Sequence, residues 1–211
     1  MMNQETDFDA SLTRSYLALG DSYTIGESVK EDERYPVLLA KKLNEKQIKI
    51  DTPRIIACTG WTTDELISAI QTQNPPNNYD LVSLLIGVNN QYRDYPIRTY
   101  CIEFEQLLKI AIQQAKGNAK RVFIVSIPDY SVTPFASNSN TAKIAQEIDN
   151  HNQIAQEISK KYQVKYFDIT PISRKAKNDL SLIADDGLHP SGKMYAEWTH
   201  LMLDEVVMML K

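Results

Sequence analysis

The sequence has few of the features that mark a secreted or a membrane protein. It contains two cysteines, Cys58 and Cys101, too few to indicate a disulfide-stapled fold, and we expect both to be buried free thiols. No apolar run approaches the roughly 20 residues that a helix needs to cross a bilayer. Met1–Thr13 is polar and lacks the pattern of a signal peptide. These absences predict a soluble, cytoplasmic protein without a membrane-spanning segment.

The sequence also lacks an excess of positive charge. Lys and Arg total 23 against 27 Asp and Glu, the formal net charge is −4, and no segment is strongly basic. A nucleic-acid partner is therefore not expected, because phosphate binding needs a concentrated positive surface. The three histidines are scattered, without the helical spacing of a metal-ligand pair, so the sequence predicts neither a metal site nor a cofactor.

Short apolar runs alternate with segments of helical periodicity along most of the chain. The runs typical of strands are Tyr16–Leu19, Arg54–Cys58, Leu81–Ile86, Arg121–Ile127 and Val164–Phe167. Helices are predicted over Glu33–Gln47, from the Thr62–Glu65 capping box to Thr72, and over Ile97–Gln114, Lys143–Tyr162 and Pro190–Leu210. This alternation predicts an α/β fold, in which a parallel five-stranded sheet is covered by helices on both faces in three layers. We assign residues 15–211 to this single domain and residues 1–14 to a polar N-terminal segment.

Chemically active side chains follow the predicted strands. In parallel sheets, ligands bind beyond the carboxyl ends of the strands, so the loops at that edge should converge. Ser22 follows the first strand, and a serine hydroxyl becomes a useful nucleophile when a base removes its proton. His189 is the candidate base. Asp186, three residues earlier, is better spaced than Asp185 to hold the imidazole in the correct tautomer across a tight turn.

Three groups from the same loops are candidate hydrogen-bond donors to an oxyanion. They are the backbone N–H groups of Ser22 and Gly60 and the side-chain amide of Asn89. Gly60 also lets the backbone approach a substrate closely, because it has no Cβ. Asp21, beside the candidate nucleophile, is expected to orient the turn by bonding loop amides. Together these residues predict a serine acyl-transfer site.

Four segments, taken in order, resemble the sequence blocks of the GDSL, or SGNH, hydrolases. They are Gly20-Asp21-Ser22, Gly60, Gly87-Val88-Asn89 and Asp186-Gly187-Leu188-His189. The resemblance covers nearly the whole chain and implies the SGNH hydrolase fold, with a flavodoxin-like sheet of order 2-1-3-4-5. It implies hydrolysis of esters or thioesters, with Ser22 as nucleophile and Asp186 and His189 completing a catalytic triad. Gly60 and Asn89 are then oxyanion donors.

One position departs from the family pattern. The third block commonly continues as Gly-x-Asn-Asp, whereas this sequence has Asn90 after Asn89. We interpret position 90 as structural support for its loop, so the change bears on loop geometry more than on catalysis.

Side chains beside these blocks are candidates for the substrate pocket. They are Trp61, Asn90, Tyr92, Arg93 and Tyr130. Arg93 either contacts a substrate carboxylate or phosphate or is a solvated or structurally paired arginine. Tyr130, with Pro134 and Phe135, either forms a wall of the pocket or packs its own loop.

The sequence therefore favours a carboxylic-ester hydrolase that works through an acyl-enzyme on Ser22. Lysophospholipase-like, thioesterase, deacetylase and arylesterase activities all fit, as does acyl transfer to an alcohol other than water. The expected partner is a small-molecule ester or thioester. One alternative is a flavodoxin-like module whose hydroxyl-rich loop after the first strand cradles a phosphate or flavin. Another is a catalytically inactive member of the family.

Overall fold

Residues 12–211 are described in the computed structural model of the chain, and most of the predicted N-terminal segment, residues 1–11, lies outside the described residues. The strands are β1 (Tyr16–Gly20), β2 (Arg54–Ala57), β3 (Leu81–Leu85), β4 (Val122–Val125) and β5 (Lys165–Phe167). The α-helices are α1 (Ser22–Ile25), α2 (Tyr35–Glu45), α3 (Thr63–Gln73), α4 (Val88–Tyr92), α5 (Ile97–Gln114), α6 (Thr141–Lys161), α7 (Thr170–Arg174) and α8 (Gly192–Leu210). Every predicted strand and helix is present, with ends that differ by a few residues.

The five strands form one parallel sheet of order β2-β1-β3-β4-β5, and the predicted order is confirmed. β1 pairs with β2 through Leu17 and Arg54, and with β3 through Leu17 and Val82. From β1, the chain first adds a strand on one side and then moves to the other side for β3. Such a reversal opens a crevice at the carboxyl ends of the two strands, and this crevice is where ligands bind in sheets of this kind.

Both faces of the sheet are buried under helices. Along β1, Tyr16 and Ala18 share a core cluster with residues of α2 and α8, whereas Leu17 and Leu19 share one with residues of α3 and α5. Side chains alternate between the two faces of a strand, so a fully apolar strand is typical of a sheet covered on both sides. Both leucines are fully buried, and burying one leucine side chain stabilises a fold by about 1.5–3 kcal/mol. These layers form the predicted three-layer α/β/α domain.

Side-chain caps fix the beginnings of two helices near the carboxyl edge of the sheet. The predicted capping box is confirmed, because the Glu65 carboxylate accepts from the Thr62 N–H at 2.9 Å just before α3. The last helix begins at Gly192, later than predicted, because the Ser191 hydroxyl caps it by accepting from a first-turn N–H. Pro190 therefore precedes the cap. Of the helices described, none combines the length and apolar character that crossing a membrane requires.

Both cysteines are free thiols, but the prediction that they are buried is wrong. Cys58 is exposed and Cys101 is partly buried. Cys58 lies just beyond β2, an edge strand, where the chain leaves the sheet. Cys101 lies in the first turns of α5, at the margin of the apolar layer beneath that helix. Neither cysteine side chain is enclosed on all sides, as leucine and valine side chains in the core are.

Candidate active site

A pocket opens at the carboxyl edge of the sheet, beyond the ends of β1 and β3. Its volume is about 150 Å³. The residues that line it are Ser22, Tyr23, Thr59, Gly60, Val88, Asn89, Tyr92, Tyr130, Phe135, Leu188 and His189. Loops that are distant in sequence therefore meet here, and they bring Ser22, Gly60, Asn89 and His189 together.

The end of β1 and the first turn of α1 place Ser22. β1 ends at Gly20, where a Cβ would lie 2.4 Å from the Leu85 carbonyl oxygen, so a side chain has no room there. Asp21 then caps α1, because its Oδ1 accepts from the Tyr23 N–H at 3.0 Å. The predicted role of Asp21 in orienting the turn is confirmed. Ser22 is the first residue of α1, so its N–H has no acceptor within the helix and can bind an oxyanion.

Asp21 is fully buried directly behind the candidate nucleophile. Its Oδ2 has no hydrogen-bond partner among the described residues. Burial penalises the charged form and raises the pKa of Asp21 to about 7, although the hydrogen bond from the Tyr23 N–H opposes the shift. The Asp21 carboxyl therefore titrates near neutral pH.

His189 is paired with Asp186, in preference to Asp185. The distance from His189 Nδ1 to Asp186 Oδ2 is 2.5 Å. Asp186 Oδ1 accepts from the backbone N–H groups of Leu188 and His189, each at 2.9 Å. Gly187 makes this tight turn possible, since its φ is +73°. With Nδ1 held by a carboxylate, Nε2 is the ring nitrogen available to Ser22 or to a substrate.

The contacts of Asp186 keep it ionised. Burial would raise the pKa of Asp186, but hydrogen bonds from His189, Ser28 and two loop amides lower it well below its usual value. The buried His189 ring also packs edge-on against the Tyr23 ring, with 5.6 Å between centroids. Among residues 12–211, no hydrogen bond joins Ser22 to His189. The two side chains meet as walls of one pocket, and such catalytic contacts often tighten only when a substrate binds.

Gly60 lies in a tight turn after β2. The Trp61 N–H donates to the Cys58 carbonyl oxygen at 3.3 Å, and Gly60 has a φ of +84°. This combination is typical of a type II turn, whose third residue needs a positive φ and is usually glycine. The Gly60 N–H has no acceptor among the described residues, so it can donate to an oxyanion.

Helix α4 and the residue after it hold this turn through two side chains. Asn89 Nδ2 donates to the Trp61 carbonyl oxygen at 2.9 Å, which leaves its second N–H for an oxyanion. Arg93 Nη2 donates to the Gly60 carbonyl oxygen at 2.6 Å, and its guanidinium pairs with Glu65 at 3.4 Å. The positions of two candidate oxyanion donors, Gly60 and Asn89, are therefore linked.

Of the five residues predicted for the substrate pocket, Tyr92 and Tyr130 line it and the other three do not. Arg93 is a structurally paired arginine, because its guanidinium is engaged by the turn and by a carboxylate. Asn90 is completely buried and bonded to the first residue of α3. Trp61 packs against the apolar layer under α3 and α5.

Three aromatic rings form one wall of the pocket, which supports the pocket-wall interpretation of the loop after β4. The ring centroids of Tyr92, Tyr130 and Phe135 are 6.0–6.3 Å apart. The Tyr130 hydroxyl is buried and donates to Gln91 Oε1 at 2.9 Å, which fixes that ring. Tyr92 and Phe135 are about half exposed, so they form the rim where the pocket meets solvent.

Several residues at the site were not predicted from the sequence. They are Tyr23, Ser28, Thr59, Val88 and Leu188. Val88 and Leu188 lie within the four blocks, and Tyr23 and Thr59 are adjacent to them, so counting every block residue and its neighbours would have included all four. Ser28 lies outside every block, and its hydroxyl meets Asp186 only because the chain folds.

The remaining histidines lie away from the pocket. His151 is buried in α6, where its Nδ1 is 2.8 Å from the Glu147 carbonyl oxygen and its ring packs against Tyr100. Burial lowers the pKa of His151. His200 is exposed on α8. Within the described part of the chain, no three His, Cys, Asp or Glu side chains gather as a metal-binding group.

Comparisons with known proteins point to one family. The model of the GDSL-like Lipase/Acylhydrolase family matches residues 18–197, a span that contains every predicted catalytic and oxyanion residue. No curated protein matches the sequence.

Several solved structures share the fold. The psychrotrophic esterase EstA from Pseudoalteromonas sp. is 16% identical, with a TM-score of 0.64, and the match covers 92% of this chain and 96% of that one. The acetylxylan esterase Axe2 from Geobacillus stearothermophilus is 18% identical, with a TM-score of 0.66 and coverage of 92% and 94%. TesA is 13% identical, with a TM-score of 0.68 and coverage of 92% and 97%. At these identities the likeness bears on the fold alone.

Proposed function

Because this chain belongs to the GDSL-like lipase/acylhydrolase family, we propose that it is a serine esterase that cleaves carboxylic esters or thioesters through an acyl-enzyme on Ser22. The observation that carries the proposal is the 2.5 Å contact between Asp186 Oδ2 and Nδ1 of His189, which lines the same pocket as Ser22. A serine hydroxyl next to an oriented imidazole is the basic machinery of acyl transfer.

The first half of the reaction acylates the enzyme. Ser22 Oγ attacks the carbonyl carbon, and His189 Nε2 takes the hydroxyl proton as the new bond forms. Asp186 orients the ring and stabilises the imidazolium with its negative charge. The tetrahedral intermediate then collapses, the bond to the alcohol or thiol breaks, and His189 returns the proton to that leaving group.

The second half regenerates the serine. A water molecule attacks the acyl carbon while His189 Nε2 takes one of its protons. The bond to Ser22 Oγ breaks, the proton passes back to that oxygen, and the carboxylic acid leaves. Each half passes through an intermediate with a negatively charged oxygen.

Three donors stabilise that oxyanion. They are the N–H groups of Ser22 and Gly60 and the side-chain amide of Asn89. The Ser22 and Gly60 N–H groups have no acceptor among the described residues, and Asn89 has one N–H to spare. Donors fixed in advance bind the developing charge without reorganising, and losing one typically costs about 10²–10³ in kcat.

The size and lining of the pocket favour a short, uncharged acyl group. A volume of about 150 Å³ is smaller than the roughly 300–1,000 Å³ of sites that enclose drug-sized ligands. Val88 and Leu188 add apolar surface, and none of the described lining residues is Lys or Arg. A long acyl chain would have to extend over the exposed rings of Tyr92 and Phe135.

The test is the Ser22→Ala variant, assayed with a chromogenic short-chain ester and a fluorophosphonate. The wild type should hydrolyse the ester and carry the phosphonate on the Ser22 peptide. Ser22→Ala should retain its fold by circular dichroism and lose both properties. The matched control is Ser68→Ala, which changes an exposed helical serine that does not line the pocket and should behave as the wild type.

A folded Ser22→Ala variant that hydrolyses the ester at the wild-type rate would overturn the assignment. A series of acyl esters and thioesters of increasing chain length then defines the substrate. Rates that fall steeply beyond the shortest acyl groups would support the small-pocket interpretation, and rates that rise toward long chains would contradict it.

A further inference from the structure

Ser28 has a backbone conformation that its residue type disfavours. Its φ is +64°, in the left-handed region, where the Cβ of an L-residue crowds the backbone. Glycine populates this region at no such cost, and the chain uses Gly26, with φ +71°, for the same conformation two residues earlier. At position 28, which is exposed, packing gives no reason to prefer serine over glycine.

The Ser28 hydroxyl supplies a reason. It donates to Asp186 Oδ2 at 2.7 Å, across 158 positions of sequence. The same oxygen lies 2.5 Å from His189 Nδ1. Asp186 Oδ1 is held independently by two loop amides, so the Ser28 hydroxyl and the imidazole are the donors to the oxygen that faces the ring.

The residue before Ser28 makes a similar contact on the other side of the pocket. The Thr59 hydroxyl donates to the Glu27 carboxylate, and Thr59 precedes Gly60 in the turn after β2. The segment Gly26–Ser28 therefore bonds to both loops that flank Ser22. A left-handed residue in such a segment is a typical way to aim a side chain at a functional site.

We propose that Ser28 is a positioning residue for the catalytic triad, whose hydroxyl fixes the Asp186 carboxylate plane so that Oδ2 points at His189. This role rests on the proposed esterase function. Two donors on one oxygen restrict rotation of the carboxylate about its bond to Cβ, and the imidazole in turn keeps Nε2 toward Ser22. Without the hydroxyl, the carboxylate samples orientations that do not hold the ring. The chemical step then slows, while the affinity for substrate stays nearly the same.

The experiment compares Ser28→Gly with Ser28→Ala. Both variants lose the hydroxyl, but only glycine relieves the backbone. We expect kcat to fall about tenfold in both, with KM changing less than about twofold, because the lost hydrogen bond is to a charged group. The melting temperature of Ser28→Gly should exceed that of Ser28→Ala, because both variants lose the same hydrogen bond and only glycine relieves the left-handed backbone, whereas kcat should be equally low in both.

The matched control is Gln47→Gly. Gln47 has the same φ of +64° and is exposed, but it follows α2, away from the pocket. This substitution relieves the same backbone conformation, so it should maintain or raise the melting temperature and leave kcat at the wild-type value. It separates the effect of a relaxed backbone from the effect of the missing hydroxyl.

An activity-independent measurement completes the test. The proton on His189 Nδ1, followed by NMR, should shift or exchange faster in Ser28→Gly, since its acceptor is less well fixed. Wild-type kcat in Ser28→Gly, or an unmoved proton resonance, would overturn the role of Ser28. A wild type that labels with fluorophosphonate at Ser22 while Ser28→Gly stays fully active leaves the esterase assignment standing. If the wild type neither reacts with the fluorophosphonate nor hydrolyses esters, both the esterase assignment and the role of Ser28 are overturned.

Discussion

The Asn90 side chain bonds Thr63 in both directions. Its Oδ1 accepts from the Thr63 N–H at 3.0 Å, and its Nδ2 donates to the Thr63 hydroxyl oxygen at 2.7 Å. The Thr63 hydroxyl donates its own hydrogen bond to the Glu103 carboxylate. Thr63 Oγ1 therefore needs a donor from position 90, and an amide has one, whereas a carboxylate has none. The contact between Thr63 and Glu103 therefore gives a physical reason for Asn rather than Asp at position 90.

The first prediction concerns this contact. Asn90→Asp keeps the acceptor for the Thr63 N–H but places two carboxylates around one hydroxyl. Because Asn90 and Thr63 are fully buried, we expect a loss of about 1–3 kcal/mol in the free energy of unfolding, measured by urea denaturation. Esterase activity should fall as well, since residues 59–63 carry the proposed oxyanion donor, Gly60.

A second substitution makes this prediction specific. In Asn90→Asp combined with Glu103→Gln, the Thr63 hydroxyl can donate to Asp and accept from the Gln amide. The double variant should recover much of the lost stability, and the coupling should appear in a double-mutant cycle. If the changes in the free energy of unfolding of the two single variants simply add in the double variant, the hydrogen bonds that link Asn90, Thr63 and Glu103 do not account for Asn at position 90.

The second prediction concerns Asp186. Both of its oxygens accept from N–H or O–H donors. In Asn, the NH2 group replaces one of these oxygens, so it faces another hydrogen-bond donor whichever way the amide is turned. Asp186→Asn should lower kcat by about 10⁴, as loss of the carboxylate does in serine triads, with a much smaller change in KM. Asp185→Asn is the matched control, because Asp185 does not contact the ring. Equal losses in the two variants would argue against Asp186 as the residue that orients His189.

Much of the fold was predictable because local pattern and packing agree. The apolar runs at β1 and β3 are buried on both faces, and the helix beginning after Thr62 has its capping box. The resemblance to four blocks located Ser22 and His189 at one edge of the sheet. These features depend on short stretches of chain whose roles follow from their own residue types.

The features that were not predictable from the sequence depend on contacts between segments that are distant in the chain. Arg93 was a plausible substrate ligand from its sequence neighbours, but the carbonyl group that it binds belongs to Gly60, on another loop. Ser28 carries no pattern that marks it, because its partner is 158 positions away. Cys58 was expected inside because cysteine usually is, yet its place beyond an edge strand exposes it. Residue type alone does not determine such pairings.

The third prediction concerns the rim of the pocket. Tyr92 and Phe135 are about half exposed and pack on one another, so removing one ring should cost little stability. Phe135→Ala should raise KM for long-chain esters severalfold and leave the shortest esters nearly unchanged, because only a long chain reaches the rim. Leu180→Ala, which truncates an exposed apolar side chain that does not line the pocket, is the control. An equal change in KM for short and long esters would contradict a rim role.

The last prediction concerns the pH dependence of stability. Burial raises the pKa of Asp21 from 3.8 to about 7, so between those values the folded chain binds a proton that the unfolded chain has released. The stabilisation from the protonated group is complete below about pH 4 and is lost as the pH rises through about 7. At about 1.4 kcal/mol per pKa unit, the loss has an upper bound of about 4 kcal/mol.

Asp21→Asn should remove this loss, because an amide is neutral throughout and its Oδ1 can still accept from the Tyr23 N–H. Urea unfolding at pH 5 and pH 8 should show the wild type losing stability relative to the variant as the pH rises. Asp204→Asn, on the exposed face of the last helix, is the control and should follow the wild type. If wild type and Asp21→Asn change in parallel between the two pH values, Asp21 does not titrate in this range. A difference that grows toward pH 8 would identify a buried carboxyl group, immediately before the proposed nucleophile, that becomes charged at the cost of stability.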